Sequence, residues 1–145
     1  MKKFQTTLGY ALRILYYLGK NGERLATGTE ISLALGISYE YLSKVLAKLR
    51  ENSMIQSEQG RDGGYRIVKG IEQISVYEVI KAIEGTLELY ESPKSACKYD
   101  GEDEIVRYFN DVKKQMEVYL KEMSVKDLFS QKTYLQERAD AAKSC

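Results

Sequence analysis

The sequence predicts a mostly α fold with a small β-hairpin wing: a winged helix-turn-helix domain joined to a long dimerisation helix. Three observations predict it. Residues 29–51 hold two short amphipathic helix patterns divided by Gly36. Residues 54–68 alternate apolar with polar and fold back around the glycine-rich tip Gly60, Arg61, Asp62, Gly63, Gly64. Residues 102–123 carry apolar side chains at alternating steps of four and three, the seam of a helix that packs on another helix.

The first helix is expected over residues 6–20, with Leu8, Ala11, Leu12, Leu15 and Leu18 on one face and Asn21 and Gly22 ending it. Its basic and apolar start is interrupted by Thr6, Thr7 and Arg13, the spacing of an amphipathic helix rather than a signal peptide. Thr6 and Thr7 either cap this helix or touch a phosphate. Thr27 or Thr29 caps the next helix, where Ile31, Ala34 and Leu35 share a face before Gly36 makes the sharp turn. Ser38 then caps a third helix, whose Leu42, Val45, Leu46 and Leu49 recur at i, i+3, i+4 and i+7 as a buried stripe. Its other face shows Tyr39, Glu40, Ser43, Lys44, Ala47 and Lys48, polar and without an acidic cluster, which suits a DNA major groove.

The hairpin follows, and its glycines permit positive φ and a close approach of backbone to a partner. Helix-turn-helix spacing also occurs in helical domains that bind nothing, and a glycine pair is often only a turn; the two in succession are the stronger signal. Ser75 with Glu78 is a capping box opening a helix to residue 84, with Val76, Val79, Ile80 and Ile83 facing the first domain. Residues 86–101, with the single proline Pro93 and the isolated Cys97, form a loop and candidate sensor region. The long helix places Ile105, Phe109, Val112, Met116, Tyr119 and Met123 on the dimerisation seam, the alternative being a core helix packed on its own domain. A helix restart follows at 124–128, with Ser124 or Asp127 near its cap and Leu128 and Phe129 turned inward, then a polar tail over 134–145 that frays. The expected division is a DNA-binding domain at 1–85, the loop at 86–101, and the dimerisation helix with its tail at 102–145.

Composition narrows the function. The net charge of the 145 residues is +1, but residues 1–70 hold 11 Lys or Arg against 6 Asp or Glu, and residues 71–145 hold 11 against 15. The basic half is the half with the wing, as a phosphate-binding surface requires. Histidine is absent, which excludes His-based acid–base catalysis and Ser-His-Asp or Cys-His nucleophiles, so no enzyme is expected. Cys97 and Cys145 fit no metal-binding spacing, and two isolated thiols suit a reduced, cytoplasmic compartment. No apolar run is long enough for a membrane span.

GYALRILYYLG, ISYEYLSKVLAKLRENSMIQSEQGRDGGYRI, ISVYEVIKAIEG and VKDL together resemble the Rrf2 family of bacterial winged-helix transcription regulators along nearly the whole chain. The resemblance implies a homodimer on a dyad-symmetric operator in double-stranded DNA, recognition helices in major grooves and wings in minor grooves, and the expected function is that of a DNA-binding regulator, a repressor. The resemblance places base and phosphate contacts on Ser38, Glu40, Tyr41 and Lys44, to which the exposed face of the same helix adds Tyr39 and Lys48 as expected DNA contacts, and the family's wing motif falls on Gly60, Gly63, Gly64 and Tyr65. Relatives often have an arginine just before the first wing glycine; here Gln59 stands there and Arg61 follows, so either Arg61 takes over minor-groove insertion or that readout is weakened. Several relatives hold an iron–sulfur cluster on three cysteines in the loop. Cys97 alone among Ser92, Ser95, Lys98, Glu102, Asp103 and Glu104 is a poor set of ligands, since soft thiolates dominate such sites. No cofactor is therefore expected, and the effector is a small molecule or a partner protein. Cys97 reads as an incidental thiol, a redox sensor or part of a pocket. The rival readings are a protein-interaction module on a winged-helix scaffold and a cluster or redox sensor with unusual ligands.

Overall fold

A computed structural model describes residues 4–94 and 100–130 of the chain. Cys97, Lys98, Cys145 and the tail expected to fray lie outside the described residues. The element order is α1 (Thr6–Lys20), α2 (Gly28–Leu35), α3 (Tyr39–Glu51), β1 (Ile55–Glu58), β2 (Gly64–Ile67), a 3₁₀ turn (Ile71–Gln73), α4 (Val76–Glu84), α5 (Glu102–Glu122) and α6 (Val125–Ser130).

The core is built around α1, which packs against α2, α3, α4, α6 and β2. Because neighbours surround it, α1 buries a wider arc than its leucine stripe implies. Ile14 is fully buried beside Ala11, Leu15 and Leu18, and Leu12 sits at the margin. In α2 the expected face narrows. Ile31 is buried and Leu35 packs on the core, but Ala34 is exposed. The two inward residues are one turn apart at i, i+4, and Ala34 falls to the outer side of the line they make. Thr27 caps this helix by accepting from the Glu30 amide at 3.1 Å, and Gly36 closes it at φ 66°, a left-handed conformation in which glycine carries no steric penalty. Ser38 caps α3 through the Tyr41 amide at 3.2 Å, and the stripe Leu42, Val45, Leu46, Leu49 is buried as its spacing requires.

β1 and β2 pair antiparallel with Ile55 opposite Ile67 and Glu58 opposite Gly64. The pair is tied into the domain by a bridge the alternation pattern does not reveal. Ala26, between α1 and α2, exchanges backbone hydrogen bonds with Tyr65 at 2.8 and 2.9 Å. The wing is thereby braced against the base of the helix-turn-helix. Two glycines permit this geometry. A Cβ at Gly63 would run into the Glu58 carbonyl, and one at Gly64 would stand 2.7 Å from the Ala26 oxygen.

The capping box of Ser75 and Glu78 is present in full, and α4 buries Val76, Val79, Ile80 and Ile83, mainly against α1. α5 contacts α4 but has no buried residue within the chain. The chain then turns back. Val76 donates to the Met123 carbonyl and Val125 to the Ile74 carbonyl, both at 2.8 Å, Ser124 caps α6 through the Asp127 amide at 2.9 Å, and Phe129 stacks on Tyr16 with ring centres 4.4 Å apart. Val125 is fully buried. Residues 123–130 are thus part of the helical core that α1 organises.

Candidate nucleic-acid interface

The buried stripe of α3 fixes what its opposite face shows. With Leu42, Val45, Leu46 and Leu49 inward, Tyr39, Glu40, Ser43, Lys44, Lys48 and Arg50 are exposed. Tyr39, the first residue of α3, brings its ring against Gly28, the first residue of α2, so the two helices begin beside one another. Neither Lys44 nor Lys48 has a salt-bridge partner among the described residues. Their charges are free to meet phosphate.

Tyr41 is placed differently from its neighbours. It is half-buried, its hydroxyl lies 2.8 Å from Thr7 Oγ1, and its ring meets Tyr10 edge-on at 5.6 Å. Thr7 therefore does not cap α1; the N-cap position is Gln5, which makes no side-chain cap bond. The reason is packing: α1 crosses α3, and Thr7 comes to rest over Tyr41. This bond holds the start of α3 on the core.

At the wing, Gln59, Arg61 and Asp62 are exposed at the tip, while Gly63, Gly64 and Tyr65 are half-buried where the hairpin meets Ala26. Arg61 makes no ion pair among the described residues. Arg66, by contrast, is engaged along the hairpin, 3.3 Å from the Glu58 carboxylate and donating to Gln56 Oε1. Arg50 reaches Ser57 Oγ at 3.5 Å, linking α3 to β1. Sequence reasoning did not find the Arg66 network, because cross-strand pairing becomes readable only once the register is known.

The long helix leaves its seam open. Ile105, Phe109 and Tyr119 are exposed, with Tyr119 at 71%, and Tyr108 joins them at 65%. Val112 and Met116 are half-buried, and Met123 ends the helix against the core. The segment before α5 is strapped to it: Tyr90 stacks on Phe109 at 5.5 Å, donates to Glu102 Oε1 at 2.7 Å, and Glu88 lies 3.8 Å from Lys113. Donation to Glu102, then desolvation and the carboxylate's charge, raise the Tyr90 pKa above its ordinary value of 10.0. Among the described residues no group of three or more Cys, His, Asp or Glu is placed to hold a metal, and no helix is long and apolar enough to cross a membrane.

A helix-turn-helix with a braced β-hairpin after its second helix defines a winged helix-turn-helix protein. Residues 4–131 match the Rrf2 family, described as iron-dependent transcriptional regulators, and the chain belongs to that family. It is 36% identical over 83 residues to the HTH-type transcriptional regulator NsrR of Halalkalibacterium halodurans, a match covering 57% of each chain. The chain thus spans just over half the length of that relative. It is 28% identical over 132 residues to a putative HTH-type transcriptional regulator of Aquifex aeolicus, covering 88% of this chain and 91% of that one. Among solved structures it is similar to CymR, the global cysteine regulator of B. subtilis, with a TM-score of 0.69 at 25% identity over 90% of this chain and 98% of that one. These relatives are transcriptional regulators, not enzymes.

Proposed function

We propose that the chain is a dimeric, sequence-specific DNA-binding regulator that represses by occupying a dyad-symmetric operator. One observation carries this reading: α3 turns outward a polar face whose Lys44 and Lys48 have no salt-bridge partner among the described residues, beside the start of α2 and with Arg61 exposed on the adjoining wing. In this arrangement the first turns of a recognition helix meet base edges and the preceding helix meets the backbone. Lys44 and Lys48 supply phosphate contacts, Ser38, Tyr39 and Glu40 stand at the groove, and Arg61 takes the minor-groove position. Tyr41 supports that surface through Thr7. The division of labour assigns DNA to residues 1–85, sensing to 86–101 and dimerisation to 102–145. Exposure of Ile105, Phe109 and Tyr119 supports the last assignment, because an apolar stripe of this length on one helix is what a second copy covers.

The reading includes regulation without an iron–sulfur cluster. Two cysteines and no histidine do not provide the soft donors that such a cluster takes from one chain, so Cys97 is left as a single thiol for a small molecule, an oxidant or a partner protein to address. The family's iron-dependent description favours a second reading, a metal-responsive regulator with unusual ligands. An anaerobic preparation separates the two: a colourless, iron-free protein that binds DNA fits the first, and visible absorption with stoichiometric iron fits the second. For DNA binding itself, a gel shift on duplex from upstream of the protein's own coding sequence is expected to show a retarded band resisting nonspecific competitor. Retardation that competitor abolishes would contradict sequence-specific recognition.

A further inference from the structure

Gly28, the first residue of α2, is buried, and what buries it is a side chain from the next helix. A Cβ built on Gly28 would stand 2.7 Å from Cε2 of Tyr39 and within 3.5 Å of two further ring atoms. The Cε2 edge of the Tyr39 ring therefore lies against bare backbone at Gly28, although the residue as a whole is 57% exposed. One side of the ring is seated, and the rest faces solvent on the surface where α2 and α3 begin. Two tyrosines open α3, and they are used differently. The Tyr41 hydroxyl is bonded to Thr7, whereas the Tyr39 hydroxyl has no partner among the described residues.

We infer that Gly28 is a positioning residue for DNA recognition: its missing side chain is the seat that holds the Tyr39 ring in one orientation against the DNA backbone. This rests on the DNA-binding reading above and adds to it a residue that touches no DNA. The physical reason is preorganisation. An exposed tyrosine otherwise samples several rotamers and loses that freedom on binding, whereas a seated ring has already lost it. The seated ring projects its hydroxyl, a donor, from the junction of the two helices, where phosphate contacts fix the register of a helix-turn-helix on its duplex.

The geometry makes the seat separable from the fold. Gly28 needs no positive φ, alanine is a better helix former than glycine, and the atoms it would displace are the end of a solvent-exposed ring. Gly28→Ala is therefore expected to keep or raise the melting temperature while unseating Tyr39. The test is a double-mutant cycle on the duplex that wild-type protein enriches from a randomised pool. Tyr39→Ala and Gly28→Ala are each expected to weaken binding about 3- to 10-fold, the scale of one contact or its preorganisation, and Gly28→Ala is expected to have no further effect in the Tyr39→Ala background. Tyr39→Phe, which keeps the ring seated and removes the hydroxyl, should also weaken binding. Equal effects of Gly28→Ala in both backgrounds, or none in either, would overturn the positioning role while leaving DNA binding intact. Failure of wild-type protein to enrich any duplex would overturn the DNA-binding reading and this inference with it.

Discussion

Lys44 stands exposed near the middle of the outward face of α3, without an acidic partner among the described residues. If it meets a phosphate, Lys44→Ala lowers the slope of log affinity against log salt by about one unit, because one fewer counterion is released; unchanged affinity and slope would remove Lys44 from the interface. Tyr41 tells a different story at the same scale. Tyr41→Phe deletes the hydroxyl that faces Thr7 and is expected to lower stability by about 1 kcal/mol, read by denaturant unfolding, with a small effect on DNA affinity. The family resemblance assigns both residues the same DNA-contacting role, although Tyr41 stands at the margin of the buried stripe, one turn before Val45. What divides them is the path of α1 across α3, which only the three-dimensional packing supplies. Gly28 was not legible for a similar reason: its seat exists only because a residue on another helix fills it.

At the scale of elements, the sequence was most readable where local chemistry marks an end. Ser38, Ser75 and Ser124 each cap a helix as side chains at those offsets do, and Gly36 closes α2 in the left-handed conformation that its turn requires. Ser75→Ala is expected to cost about 1 kcal/mol, since it removes one half of a capping box; a smaller loss would mean that Ile74 and Val76, both buried, already hold the start of α4. The strap from α4 to α5 was not legible, because Tyr90 lies in a stretch without periodicity and finds its partners on a helix later in the chain. Its pKa is raised, so the neutral phenol is the form the fold prefers. Any stability it adds is fully present below pH 10 and lost as pH rises through the higher folded value. Tyr90→Phe should therefore weaken the alkaline dependence of unfolding in the tyrosine range and leave neutral pH behaviour unchanged apart from the lost hydrogen bond. An identical alkaline limb in the variant would show that this hydroxyl is not linked to folding.

For the whole molecule, the basic and acidic halves and the alternating four-and-three spacing of α5 pointed to a DNA-facing part and a second, self-associating part. Beyond the long helix, Val125 is buried and Phe129 stacks on Tyr16 of α1, so α6 packs on the first helix. Phe109 is central to the open face and is stacked by Tyr90. Phe109→Glu is expected to shift the protein from dimer to monomer in sedimentation velocity while retaining its helical content. The most direct test of the central claim is the stoichiometry of the complex on the enriched duplex, measured by sedimentation with absorbance from labelled DNA. Two chains per duplex, protecting two inverted half-sites, is the expected result; one chain per duplex, or no duplex preferred over bulk DNA, would contradict a dimeric operator-binding regulator.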